Sequence, residues 1–195
     1  MPIRTFPRFH KPAPRWTSSI ALSVAVRYPR LVRTLTVVGA FSELNYTVEL
    51  NYSLRKRLIN LIGMNEEMAD FISLWIMSPA FLESDQGQRV ATNIRDNVKH
   101  NDPELYSSFL DAILELGRPD DHDAWLTASL ATIAAPTLVA CADNDHFIPA
   151  KLSQIIHQRI PHSKFVEIPA GGHIPFIEAP DTITKIVIEF LTENE

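Results

Sequence analysis

Apolar residues along the 195-residue chain change their spacing in a way that predicts its elements. From Ser18 to Tyr28 they recur at helical intervals, with Ile20, Val24 and Ala25 on one face, and Pro29 ends the run. "RTLTVVGAF" (Arg33–Phe41) is rich in β-branched residues and bounded by a glycine, which predicts a strand. Residues 43–120 show no convincing strand pattern. There Asn65 can cap a helix opened by Glu66 and Glu67, along which Met68, Phe71, Ile72, Trp75 and Ile76 form a stripe that Pro79 stops. A second helix is expected over Gln86–Lys99. A third starts at Asp102 and Pro103 and carries Leu105, Phe109, Ile113 and Leu116 to Gly117.

Beyond residue 120 the period alternates. "PTLVACA" (Pro136–Ala142) reads as a buried strand, Ala150–Ile160 as a helix ended by Pro161, and "KFVEIP" (Lys164–Pro169) as another strand. Asp181 is placed to cap a last helix with Ile183, Ile186, Val187, Phe190 and Leu191 inward. Strands alternating with helices imply an α/β fold with a parallel sheet of about three strands. The expected division is an irregular Pro-rich segment over 1–17, a core over 18–42 and 121–195, and a helical cap insertion over 43–120.

Composition narrows the function classes. Hydrophobic residues are 46% and charged residues 21%, ordinary for a globular protein. No apolar run reaches the roughly 18 residues of a membrane span. The single cysteine, Cys141, excludes an intrachain disulfide and four-cysteine metal sites, and it fits a reducing, cytoplasmic compartment. Net charge is −5, unevenly spread: the first acid is Glu43, and the seven Arg and Lys before it stand alone. Arg27, Arg30 and Arg33 fall within the helix–strand unit, where a solvated face explains them better than nucleic-acid binding does. Pro2, Pro7, Pro12 and Pro14 forbid a helix or central strand in the first residues.

The chemistry concentrates in two loops, each following a strand of the parallel sheet, where such folds bind ligands. "ADNDHFIP" (Ala142–Pro149) supplies Asp145, with Asp143 as the competing acid. "PAGGHIPFIEAP" (Pro169–Pro180) supplies His173 after a glycine pair that frees the backbone. A carboxylate on imidazole Nδ1–H would fix the tautomer and leave Nε2 as a base. Taken singly, each residue is as well explained by a turn or a helix cap; together on neighbouring loops they point to catalysis. "DDHD" (Asp120–Asp123) offers oxygen and imidazole ligands, but it precedes Trp125 and Leu126, where Asp123 can serve as a cap, so no metal is expected. "AGGH" does not match a dinucleotide loop, and no cofactor is implied.

The segment Ala135–Leu191 resembles the C-terminal part of α/β-hydrolase-fold enzymes. Asp145 matches the triad acid by its distance to Pro149, His173 the triad histidine, and Glu178 with Pro180 the usual tail; Ala142 stands where glycine is common. "IALSVAVRYPRLVRTLTVVGAF" (Ile20–Phe41) is similar to the helix after the nucleophile and the strand behind it. The resemblance implies a partial α/β-hydrolase fold that cleaves an ester, lactone or related acyl bond of a small apolar substrate through a nucleophile–His–Asp triad. It also places Arg15 at the nucleophile position, between Pro14 and Trp16. Arginine keeps its proton and cannot attack a carbonyl. Ser19 and Ser18 are the substitutes to weigh, against a simple role in the first helical turn. The expectation is therefore a chain inactive by itself: a truncated or frame-shifted enzyme, one completed by another chain or copy at an exposed edge strand, or a non-catalytic module that binds a small ligand or a protein.

Overall fold

A computed structural model describes residues 17–117 and 125–195. The Pro-rich start, Arg15 and the Asp120–Asp123 cluster lie outside the described residues. Along the chain the elements are α1 (Thr17–Arg27), β1 (Leu35–Val38), α2 (Tyr46–Ile62), α3 (Glu66–Ile76), α4 (Pro79–Leu82), α5 (Asp85–Val98) and α6 (Pro103–Gly117), then α7 (Trp125–Ser129), β2 (Thr137–Ala142), α8 (Ala150–Arg159), β3 (Lys164–Ile168), α9 (Pro175–Glu178) and α10 (Pro180–Glu193).

The strands form one parallel sheet in the order β1-β2-β3, with Val37 opposite Val139 and Val139 opposite Phe165. Parallel neighbours need long crossovers, and helices supply both. The central strand, β2, is buried at every position. Its side chains alternate between two apolar layers. Val139 joins Leu22 and Ala25 of α1, Val37 of β1 and Ile156 of α8 on one face. Ala140 and Ala142 join Ile168 and Ile183 of α10 on the other. A strand covered on both faces needs no polar alternation, which is why "TLVACA" reads as a continuous apolar run.

The helices between β1 and β2 share a further core. Val48, Tyr52 and Ile59 of α2, Met68 of α3 and Ile113 of α6 pack with Phe147, Ile148 and Leu152, which follow β2. This layer is thus fixed to the loop that carries Asp145.

Several local expectations need correction. α1 buries Ala25 as expected, but with Leu22 rather than Ile20 and Val24, which are exposed, and buried Ser19 gives its hydroxyl to the Phe41 carbonyl at 2.7 Å. A serine whose donor is absorbed by the backbone can sit inward as readily as an apolar residue. The first strand is shorter than Arg33–Phe41. α2 was not anticipated; Asn45 caps it through Val48 N–H, and its polar residues obscure the buried stripe. Pro79 stops α3 but also opens α4, because proline suits a first helical position. Asp181 lies in the first turn of α10 without capping it, the cap position being Ala179. Leu105 and Leu191 face outward.

Candidate active site

The turn after β3 and the loop after β2 are joined by backbone hydrogen bonds. Asp143 N–H donates to the Ile168 carbonyl and Asn144 N–H to that of Gly171, both at 3.1 Å. Ala170 accepts a left-handed backbone, φ 57°, to make the turn. A non-glycine residue there is strained by about 1 kcal/mol. The turn ends by delivering His173 to Asp145.

His173 Nδ1 lies 2.8 Å from Asp145 Oδ2, with both side chains almost wholly buried. The other oxygen, Oδ1, accepts from Phe147 N–H at 2.9 Å and Ile148 N–H at 2.7 Å. Each carboxylate oxygen therefore has its own partner. The two amides hold the plane of the carboxylate, and the plane sets the direction of the bond to the imidazole. With Nδ1–H donating, a neutral ring carries its lone pair on Nε2. Asp143, the competing acid, is exposed.

Two further contacts fix the pair. Gly39, at the end of β1, has φ +56°, and a Cβ there would stand 3.2 Å from His173 Nδ1 and 3.3 Å from Asp145 Oδ2. Only glycine gives both that backbone and that approach. Glu178 binds the histidine loop to the helical layer: its carboxylate accepts from Gly172 N–H at 2.9 Å and from the Ser78 hydroxyl at 2.6 Å. A Cβ on Gly172 would meet Ser78 N at 2.4 Å.

His173 opens on a cavity of about 370 Å³ beneath the helices between β1 and β2. Its walls are mainly aliphatic and aromatic, among them Ile76, Ile94, Ile113 and Ile174; the polar groups are Arg55, Tyr52 and Tyr106. Among the described residues, no serine, threonine or cysteine lines it. Burial pushes the Tyr52 phenol above its ordinary value, and the nearby Arg55 cation only partly offsets this. Cys141 is fully buried in β2, and burial, reinforced by Glu167 and the two loop aspartates, pushes its thiol up to about 12. Ser18 donates to the Val38 carbonyl at 3.3 Å and Ser23 to that of Ser19 at 2.9 Å, so all three serines of α1 point their hydroxyls at backbone. Among the described residues no group of three or more His, Cys, Asp or Glu is placed to hold a metal, and no helix is long and apolar enough to cross a membrane.

The sequence pattern missed Gly39, the Glu178–Ser78 link, Phe147 and Arg55. The signal for Arg55 was present: it shares a helical stripe with Val48, Tyr52 and Ile59, and all are buried.

The architecture is a parallel sheet flanked by helices, with an acid loop and a histidine loop meeting at its carboxyl edge. The sequence profile of the alpha/beta hydrolase fold matches residues 44–180, and the chain belongs to that family. It is 26% identical over 179 residues to RutD of Pantoea ananatis, a protein named as a carbamate hydrolase, covering 88% of this chain and 59% of that one. It is 27% identical over 179 residues to a Bacillus subtilis protein named as a 2-succinyl-6-hydroxy-2,4-cyclohexadiene-1-carboxylate synthase, covering 89% and 62%. Among solved structures, the enol-lactonase from Burkholderia xenovorans superposes with a TM-score of 0.76 at 24% identity, over 90% of this chain and 62% of that one. That likeness shows the fold. The chain spans about 60% of the length of the curated relatives it matches.

Proposed function

We propose that Asp145 and His173 are the acid–base half of an acyl-hydrolysing site, with the cavity holding the apolar acyl part of an ester, lactone or related substrate. Residues 43–120 act as a helical cap over a core formed by 18–42 and 121–195. The observation that carries this is the buried His173–Asp145 hydrogen bond opening on an apolar cavity. His173 Nε2 takes a proton from an attacking water as its oxygen bonds to the substrate carbonyl. The imidazolium, steadied by Asp145, returns that proton to the leaving oxygen. General-base action of this kind is worth about 10²–10⁴ in rate. The covalent step of the family needs a nucleophile that Arg15, at the matching position, cannot supply.

The experiment is hydrolysis of p-nitrophenyl butyrate beside labelling with a fluorophosphonate probe. Slow cleavage that is lost in His173→Ala, without covalent labelling, supports the reading. Cleavage unchanged in His173→Ala refutes it, and labelling lost in Ser19→Ala would move a nucleophile onto α1. A second reading, a module that binds a small apolar ligand without turnover, is favoured by the lining of the cavity, which offers no serine, threonine or cysteine among the described residues. Cleavage at the rate of buffer with retained ligand binding would select it.

A further inference from the structure

Arg55 is 4% exposed, yet among the described residues no carboxylate lies within ion-pair distance of it. A buried guanidinium without a counter-charge is costly, and proteins ordinarily pair it. Its neighbours here are neutral. It donates to the Tyr106 hydroxyl at 3.3 Å and to Asn51 Oδ1 at 3.2 Å. Its charge faces the rings of Phe147, Tyr52 and Phe71, at 4.7, 5.8 and 5.9 Å from their centres. Aromatic faces stabilise a cation but accept few hydrogen bonds. Arg55 Nε and Asn51 Nδ2 accordingly have no acceptor, and they are the buried side-chain polar atoms left unpaired among the described residues. Both are donors. What the surroundings of Arg55 lack among the described residues is an acceptor, and the charge left without a counter-ion there is positive.

The position of Arg55 relative to His173 gives the deficit a direction. Phe147 touches both: its ring centre is 4.7 Å from the guanidinium and 4.9 Å from the imidazole centre, with the Phe147 and His173 rings edge to face. Both groups line the same cavity. A small molecule in this largely apolar cavity can therefore meet both groups.

We propose that Arg55 is a specificity-determining residue that selects substrates whose short apolar acyl body ends in a carboxylate, with the scissile carbonyl at His173. A carboxylate in the cavity that Arg55 lines would bring the counter-charge and the acceptor that the guanidinium lacks among the described residues, a pairing arginine favours. A single positive charge matches a monoanion. The assignment rests on His173 as the reacting end, but the test of the anion site does not require turnover.

The experiment is calorimetric titration of the full chain with 4-phenylbutyrate and with its neutral amide, 4-phenylbutyramide. The acid should bind at least tenfold more tightly, as a hydrogen bond to a charged group is worth roughly 1.5–3 kcal/mol. Arg55→Met should bring the two affinities together, and Arg55→Lys should keep part of the preference. Equal binding of acid and amide by the unmodified chain, or binding of neither, overturns the proposal without recourse to a variant. So does a preference that survives in folded Arg55→Met. Kinetics separate this inference from the hydrolase reading. Mono-p-nitrophenyl glutarate should show a lower KM than p-nitrophenyl butyrate, and only Arg55 variants should erase the difference. Cleavage of both esters with the same KM overturns the anion site and leaves the hydrolase reading. Carboxylate-selective binding with no cleavage does the reverse.

Discussion

The two ends of the cavity are built on opposite principles. At the sheet edge, each oxygen of Asp145 has its own partner, and the neighbouring Glu178 carboxylate is likewise occupied by Gly172 and Ser78. Such a site is rigid before anything binds. Around Arg55, by contrast, Arg55 and its neighbour Asn51 keep donors without acceptors among the described residues, in equally deep burial. The saturated end suits a group that must hold one orientation through a reaction. The unsaturated end suits recognition, because its missing partner is what a ligand can bring.

The first way to break this contrast is to loosen the saturated end. Asp145→Asn should lower His173-dependent ester cleavage by about 10²–10⁴, since the amide no longer selects the Nδ1–H tautomer; the assay is kcat on p-nitrophenyl butyrate. Gly172→Ala should cost about 3 kcal/mol in urea unfolding, because the new methyl group meets the Ser78 amide at 2.4 Å and the Glu178 carboxylate at 2.5 Å. At the unsaturated end, Arg55→Met should leave stability unchanged or raised, as replacing a buried unpaired charge by an apolar chain often does, while removing the tenfold preference for acid over amide.

The smaller effects sharpen the assignment. Ser19→Ala should lose about 1 kcal/mol with the bond to the Phe41 carbonyl and leave cleavage intact; loss of cleavage would reveal a catalytic serine. Cys141 should resist iodoacetamide at pH 8 in the folded chain and react once unfolded, its thiol being pushed up to about 12 by burial. Because the folded value lies above the unfolded one of about 8.5, this thiol's contribution to stability is complete below that pH and declines toward pH 12.

The same contrast decides how much was legible in the sequence. The saturated end was readable because its parts lie in short local phrases: an acid three residues after a strand, a histidine after two glycines, a glutamate five residues further on. Strands β2 and β3 and helices α3, α5, α6 and α8 were equally accessible, since each has its own period and stop. Arg55 was hidden because "LRKRL" looks like a solvated charge run, and only the register of Val48, Tyr52 and Ile59 distinguishes it from its neighbours. α1 misled for the converse reason: its apolar Ile20 and Val24 face outward while Ser19 is inside. Gly39 could not be assigned at all, because the need for it comes from a histidine far away in the chain.

The most direct measurement is nitrogen-15 NMR of the His173 ring across a pH titration. The account predicts that the neutral ring carries its proton on Nδ1, with Nε2 unprotonated, and that Asp145→Asn shifts the proton between the two nitrogens. A neutral ring protonated on Nε2 in the unmodified chain, or a tautomer indifferent to Asp145→Asn, would contradict it.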